Sequence, residues 1–130
     1  MLPPGKRVGI LTISASTLTD AHLAAANVPL DTPIMSTEAG TEFTRAILGD
    51  ELDIDFDACR RDLLQAGRAL VSQHPEVGAI VLECTNMTPY AADLRKALGL
   101  PVFSIYTFLR WFHQSLAPDR FAVGLDDPRY

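Results

Sequence analysis

The chain has 130 residues, 48% of them hydrophobic and 21% charged, which suits one globular domain with an ordinary core. Its formal charge of -5 argues against a nucleic-acid groove or an anionic-membrane face, because both need clustered Lys and Arg. No apolar run reaches the roughly 18 residues of a membrane span, and the opening MLPPGKRVGILTIS lacks the small-residue cleavage site of a signal peptide. These features read as a cytoplasmic protein in which Cys59 and Cys84 are reduced thiols. No spacing of His, Cys, Asp or Glu resembles a metal site.

In chain order, Arg7 to Ser14 (RVGILTIS) is a buried strand that runs into a Ser/Thr-rich loop. Thr19 and Asp20 cap a short amphipathic helix over Ala21 to Ala26, and Pro33 to Ser36 is a weaker strand. Glu42 to Leu48 and Phe56 to Ser72 read as helices. In the second, Phe56, Cys59, Leu63, Ala66 and Leu70 follow spacings of three and four and define one apolar face. GAIVLE, Gly78 to Glu83, is the strongest strand. TPYAADLRKALG reads as a helix with Thr88 as N-cap, Pro89 at the first helical position and Gly99 as stop signal. LPVFSI is a further strand, YTFLRWFHQSL a final helix, and residues 118–130 an irregular tail. The alternation of strands and helices predicts an α/β domain over residues 1–130, with a parallel four-stranded sheet in three layers and helices on both faces.

The boundary between GAIVLE and the next helix carries the chemistry. In an open α/β sheet, ligands bind outside the carboxyl ends of the strands, and Cys84 falls at that edge. A helix starting near Pro89 would offer unpaired N–H groups and the positive end of its dipole to a small anion, with Thr85 and Asn86 adding a hydroxyl and an amide. The same field would favour thiolate by about one pKa unit, making Cys84 a usable base. A cysteine at a strand end also serves simply as a small apolar filler, and both readings stand. Cys59, on the apolar face of a long helix, reads as structural. Glu83 reads equally as a group that tunes the thiol and as a solvated strand end. His113, flanked by aromatics on the last helix, is a candidate proton partner or a packing residue.

The stretch GAIVLECTNMTPYAADLRKALGLPVFSI resembles the C-terminal cysteine segment of the aspartate/glutamate racemase family, which includes hydantoin racemases and related decarboxylases and isomerases. The shared order is an apolar strand, Cys-Thr-Asn, a Pro-started helix and a GLPVF strand. RVGILTISASTLT is similar to the strand and loop that open the second half of those proteins. The resemblance implies a flavodoxin-like (Rossmann-like) domain equivalent to the second of two facing domains, each giving one cysteine. It implies proton transfer at the α-carbon of an amino acid or related carboxylate without pyridoxal phosphate, metal or other cofactor. On this basis Cys84 is the acid/base, Thr85 and Asn86 hold the substrate carboxylate, and Ser14, Ser16 and Thr17 approach the substrate.

No counterpart of the family's first cysteine is evident. Three arrangements are therefore open: a shortened second half, an assembly with a complementary racemase domain or as a homodimer, or one-base decarboxylase or isomerase chemistry by Cys84 alone. A domain that binds small carboxylates without converting them is the rival reading. A cysteine hydrolase is a weaker one, since it needs an oriented histidine and offers only His113.

Overall fold

A computed structural model describes residues 2–119. Four strands, β1 (Arg7–Thr12), β2 (Ile34–Ser36), β3 (Val77–Leu82) and β4 (Val102–Phe103), form one sheet in the order β2-β1-β3-β4. All three pairings are parallel. The connections carry α1 (Asp20–Ala25), then α2 (Phe43–Leu48) and α3 (Phe56–Gln73), then α4 (Ala91–Leu98), and α5 (Ile105–Leu116) follows β4. The first crossover runs outward from β1 to β2 and the later ones run the other way. Right-handed crossovers therefore place α1 on one face of the sheet and α3 with α4 on the other. This is the expected three-layer α/β fold. The reversal of direction creates a switch point between β1 and β3, the place where such folds bind ligands.

The α3/α4 face holds the core. Leu11, Ile80 and Leu82 meet Leu63, Leu70 and Leu94, all at 4% exposure or less. Gly67 lets the two helices approach: a Cβ there would fall 2.8 Å from Leu94 Cδ2. Asp55 caps α3 by accepting from the N–H groups of Asp57 and Ala58. The apolar face predicted for α3 differs at two positions. Phe56, at the first turn, is 63% exposed, and Asp62 is buried among the apolar residues. The Asp62 carboxylate accepts from the N–H groups of Thr41 (3.1 Å), Glu42 (2.7 Å) and Phe43 (2.9 Å), satisfying the start of α2 from beneath.

The opposite face is more open. Register aligns Ile34, Ile10, Val81 and Phe103 in one row across the four strands. Val28 and Pro29, which follow α1, line a hollow with Val8, Ile10 and Val81, while Phe103 is 53% exposed. Helix α5 buries no residue, so Phe108, Trp111 and Phe112 stand exposed as an aromatic cluster and do not cover the sheet. The final strand is shorter than LPVFSI suggests, Val102–Phe103. His22, for which the sequence names no partner, accepts at Nδ1 from the Thr19 N–H at 3.1 Å and locks the start of α1. Of the expected tail, residues 120–130 lie outside the described residues. Among the described residues no helix is long and apolar enough to cross a membrane.

The largest local correction concerns the segment after β3. Thr88 is not an N-cap. A 3-10 helix runs over Thr85–Tyr90 with Cys84 as its N-cap and Pro89 inside it, opened by the Met87 N–H donating to the Cys84 carbonyl at 3.1 Å. An α-helix begun at Thr85 would need a bond from the N–H that Pro89 lacks. The tighter winding therefore persists until Ala91, where α4 begins. Gly99 closes α4 as expected, in the left-handed conformation at φ 68°.

Candidate functional site

Two loops meet at the switch point: residues 13–19 after β1 and residues 83–86 after β3. Glu83, the first residue past β3, reaches across to β1, where the buried Thr12 hydroxyl donates to its Oε2 at 2.9 Å. Glu83 is itself exposed, and this bond ties the end of β3 to β1. Cys84 follows, half-buried against the core cluster. Burial, and then the adjacent Glu83 charge, push its thiol above the ordinary cysteine range, while the backbone N–H groups of Asn86 and Met87 pull the other way. The expected bias toward thiolate is therefore reversed. The α-helix that was to supply the field begins only at Ala91, and desolvation of a half-buried sulfur outweighs two amide dipoles.

The β1 loop is already occupied. Glu38, just beyond β2, accepts from Ser36 Oγ (2.7 Å), Ser14 Oγ (2.8 Å) and the Ala15 N–H (3.1 Å), with Ser16 Oγ at 3.4 Å. The Ser36 and Ser14 hydroxyls and the Ala15 amide hold its carboxyl below the usual carboxylate range. This loop does bind a carboxylate, but the carboxylate is the protein's own. Thr17 turns its hydroxyl back to the Ser14 carbonyl at 3.2 Å. Ser14, Ser16 and Thr17, the expected substrate contacts of this loop, thus all bond within the protein. Sequence reasoning missed Glu38 because only Ser36 among its partners is local; Ser14, Ala15 and Ser16 lie more than twenty residues earlier.

The β3 loop differs. Among the described residues, neither the Thr85 nor the Asn86 side chain makes a hydrogen bond, and both border a cavity of about 710 Å³. Its floor includes Phe43 and Tyr90, packed edge to face with centroids 6.1 Å apart. Cys59 lies in this floor at 1% exposure together with Tyr90, whose hydroxyl is pushed up to about 12, chiefly by burial. Cys59 is buried on the apolar face of α3, where its helical position placed it. His113 sits two turns along α5 beside Tyr106, Leu109, Arg110 and Gln114, and no described contact brings it to Cys84. The site thus unites Glu83, Cys84, Thr85 and Asn86, sets Ser14 and Ser16 beside them in an occupied loop, and leaves His113 out. Among the described residues no cluster of His, Cys, Asp or Glu could hold a metal ion.

Fold and site together define a parallel α/β domain with a cysteine at the carboxyl edge of its sheet. Among solved structures, allantoin racemase from Pseudomonas fluorescens matches with a TM-score of 0.60 at 15% identity, over 95% of this chain and 55% of that one. A mutant of arylmalonate decarboxylase in its liganded form matches with a TM-score of 0.52 at 18% identity, over 85% and 46%. At such identities the likeness is one of fold. In sequence, dimethylsulfoniopropionate lyase 5 of Emiliania huxleyi is 38% identical over 92 residues, covering 62% of this chain and 18% of that protein. A dimethylsulfoniopropionate lyase of Durusdinium sp. clade D is 28% identical over 74 residues, covering 57% and 24%. The chain therefore spans a quarter or less of these curated relatives. No protein-family model matches it.

Proposed function

We propose that this chain is a proton-transfer domain of the aspartate/glutamate and hydantoin racemase superfamily, acting at the carbon next to a small carboxylate. Cys84 is the acid/base, and Thr85 and Asn86 receive the carboxylate. The observation that carries the reading is the placement of Cys84 at the carboxyl end of β3, beside the switch point. It lies next to two polar side chains that make no hydrogen bond among the described residues. The activities named for the similar proteins fit one chemical step. Racemisation and elimination from a substituted propionate both begin with loss of the α-proton to a base, and decarboxylation ends with a proton delivered to the same kind of enolate.

In this reading the Cys84 thiolate accepts the α-proton and the electron pair moves into the carboxyl group as an enolate. Return of a proton to the opposite face gives racemisation. Expulsion of a leaving group from the β-carbon gives elimination. A two-sided racemisation needs a second acid/base group, since one side chain cannot reach both faces. Cys59, on α3 and 1% exposed, is not placed to be that group, so racemisation would draw on a second domain or a second copy.

One-sided chemistry has its own support. Burial raises Cys84, favouring the protonated thiol, the form that gives a proton to an enolate after carbon dioxide leaves. The test is NMR in D₂O with the purified chain and a panel of aspartate, glutamate, hydantoin, phenylmalonate and dimethylsulfoniopropionate. Solvent deuterium should enter the α-carbon, or the carboxyl or sulfonium group should be lost, and Cys84→Ala should reduce the rate by about 10²- to 10⁴-fold. Turnover unaffected by Cys84→Ala would sink the assignment.

A further inference from the structure

A cavity borders the cysteine loop through Thr85 and Asn86, while Cys84 itself is not among its lining residues. Its walls come from α2, Ile54 and the first turn of α3, the 3-10 helix, and the starts of α4 and α5, with Phe43, Ile47, Ile54, Phe56, Tyr90 and Tyr106 as the large side chains. Among the described residues no charged side chain lines it. At about 710 Å³ it lies inside the range of small-molecule sites, roughly 300–1,000 Å³. Polar groups gather where the cavity meets the cysteine loop, as Thr85, Asn86 and Thr88. The Thr88 hydroxyl beside them is buried and has no hydrogen-bond partner among the described residues, a costly state, but it is sealed off and not itself open to a ligand in the cavity.

We infer that the substrate is a carboxylate bearing a bulky uncharged apolar group, aromatic or branched, which lies in this cavity while its carboxylate meets Thr85 and Asn86. A second carboxylate, as in aspartate or glutamate, would enter a largely apolar space where no described residue offers a cation to meet it, which is unfavourable. The inference rests on the reading of the Thr85–Asn86 loop as the carboxylate holder and narrows the substrate class for that site.

The test is an NMR titration of the labelled chain with acetate, glutarate, phenylacetate and the carboxylate-free toluene. Phenylacetate should bind about tenfold or more tightly than acetate or glutarate, since it alone among the acids buries an apolar ring. Resonances of Thr85, Asn86 and Thr88 should shift together with those of Phe56 and Tyr106. Phe56→Ala and Ala92→Trp alter exposed positions of the cavity wall and should leave the dispersed spectrum of a folded chain. Phe56→Ala should weaken phenylacetate about fivefold, Ala92→Trp should erase its advantage over acetate, and Asn86→Ala should weaken all three acids alike. Ala92→Arg should turn the preference toward glutarate. Glutarate binding as tightly as phenylacetate in the native chain, with both lost in Asn86→Ala, would overturn the substrate class and leave the loop assignment standing. Binding of phenylacetate and toluene alike, indifferent to Asn86→Ala, would overturn both, as would failure of every acid to bind.

Discussion

The carboxyl edge of this sheet has two sides that look alike in sequence and differ in what their polar groups do. On the β1–β2 side, the Ser14–Ser16 loop is closed around Glu38, and the start of α2 is closed around Asp62. On the β3–β4 side, the Thr85 and Asn86 side chains and the Thr88 hydroxyl make no hydrogen bond among the described residues. A row of hydroxyls and amides after a strand thus does not by itself mark a ligand site; what matters is whether the protein has already supplied the anion. The first side is built as structure, whereas on the second the exposed Thr85 and Asn86 side chains face solvent with no protein partner among the described residues.

The comparison can be broken from the structural side. The largest stability effect belongs to Asp62, whose loss strands three backbone donors at a buried helix start. Asp62→Ala should cost about 2–4 kcal/mol, read from the urea midpoint at constant slope, and a loss below about 0.5 kcal/mol would show that water replaces the carboxylate freely. Glu38→Ala should have a smaller effect on stability but a more telling one on binding. The emptied loop should then accept formate or acetate at millimolar concentration, with shifts in the Ser14, Ala15 and Ser16 amides. In the native chain the same anions should shift only the residues around Asn86. Equal shifts at the Ser14 loop before and after the substitution would remove the distinction between the two sides.

The remaining effects are titrations. Because Cys84 is raised, its thiolate fraction near pH 7.5 is below that of free cysteine. Iodoacetamide should therefore label it more slowly than glutathione at that pH and catch up as pH rises. Glu83→Gln, by removing the neighbouring negative charge, should speed labelling a few-fold; no change would mean that burial alone sets the thiol. Stability follows the same sign. Cys59, Cys84 and Tyr90 all bind their protons more tightly in the folded chain. Their contribution is complete below the ordinary thiol range and is lost as pH rises toward about 12, the range to which Tyr90 is raised. A urea midpoint that holds steady from pH 8 to 11 would contradict this.

Much of the architecture was legible in the amino-acid sequence because it is written locally. The apolar runs RVGILT and VGAIVL, the three-and-four spacing through Cys59, Leu63, Ala66 and Leu70, and the stop at Gly99 are each decided by residues within a few positions of one another. Cys84 was legible for the same reason, as the residue where a buried strand ends. What escaped reading depends on distant partners. Glu38 acts through serines on another loop, Asp62 looks like a flaw in an apolar stripe until residues 41–43 fold over it, and Thr88 looks like a cap until Cys84 starts the winding four residues earlier. The direction of the Cys84 shift was missed because it balances burial against dipoles, and burial is a property of the assembled fold.

The most direct measurement of the central claim, that a small carboxylate meets Cys84 at the β3 loop, is the rate of Cys84 alkylation by iodoacetamide with and without saturating phenylacetate, resolved by peptide mass spectrometry. The account predicts that the acid slows labelling of Cys84 several-fold, that Asn86→Ala abolishes the protection, and that Cys59 stays unlabelled throughout in the folded chain. An unchanged rate at Cys84, with phenylacetate bound elsewhere on the molecule, would contradict it.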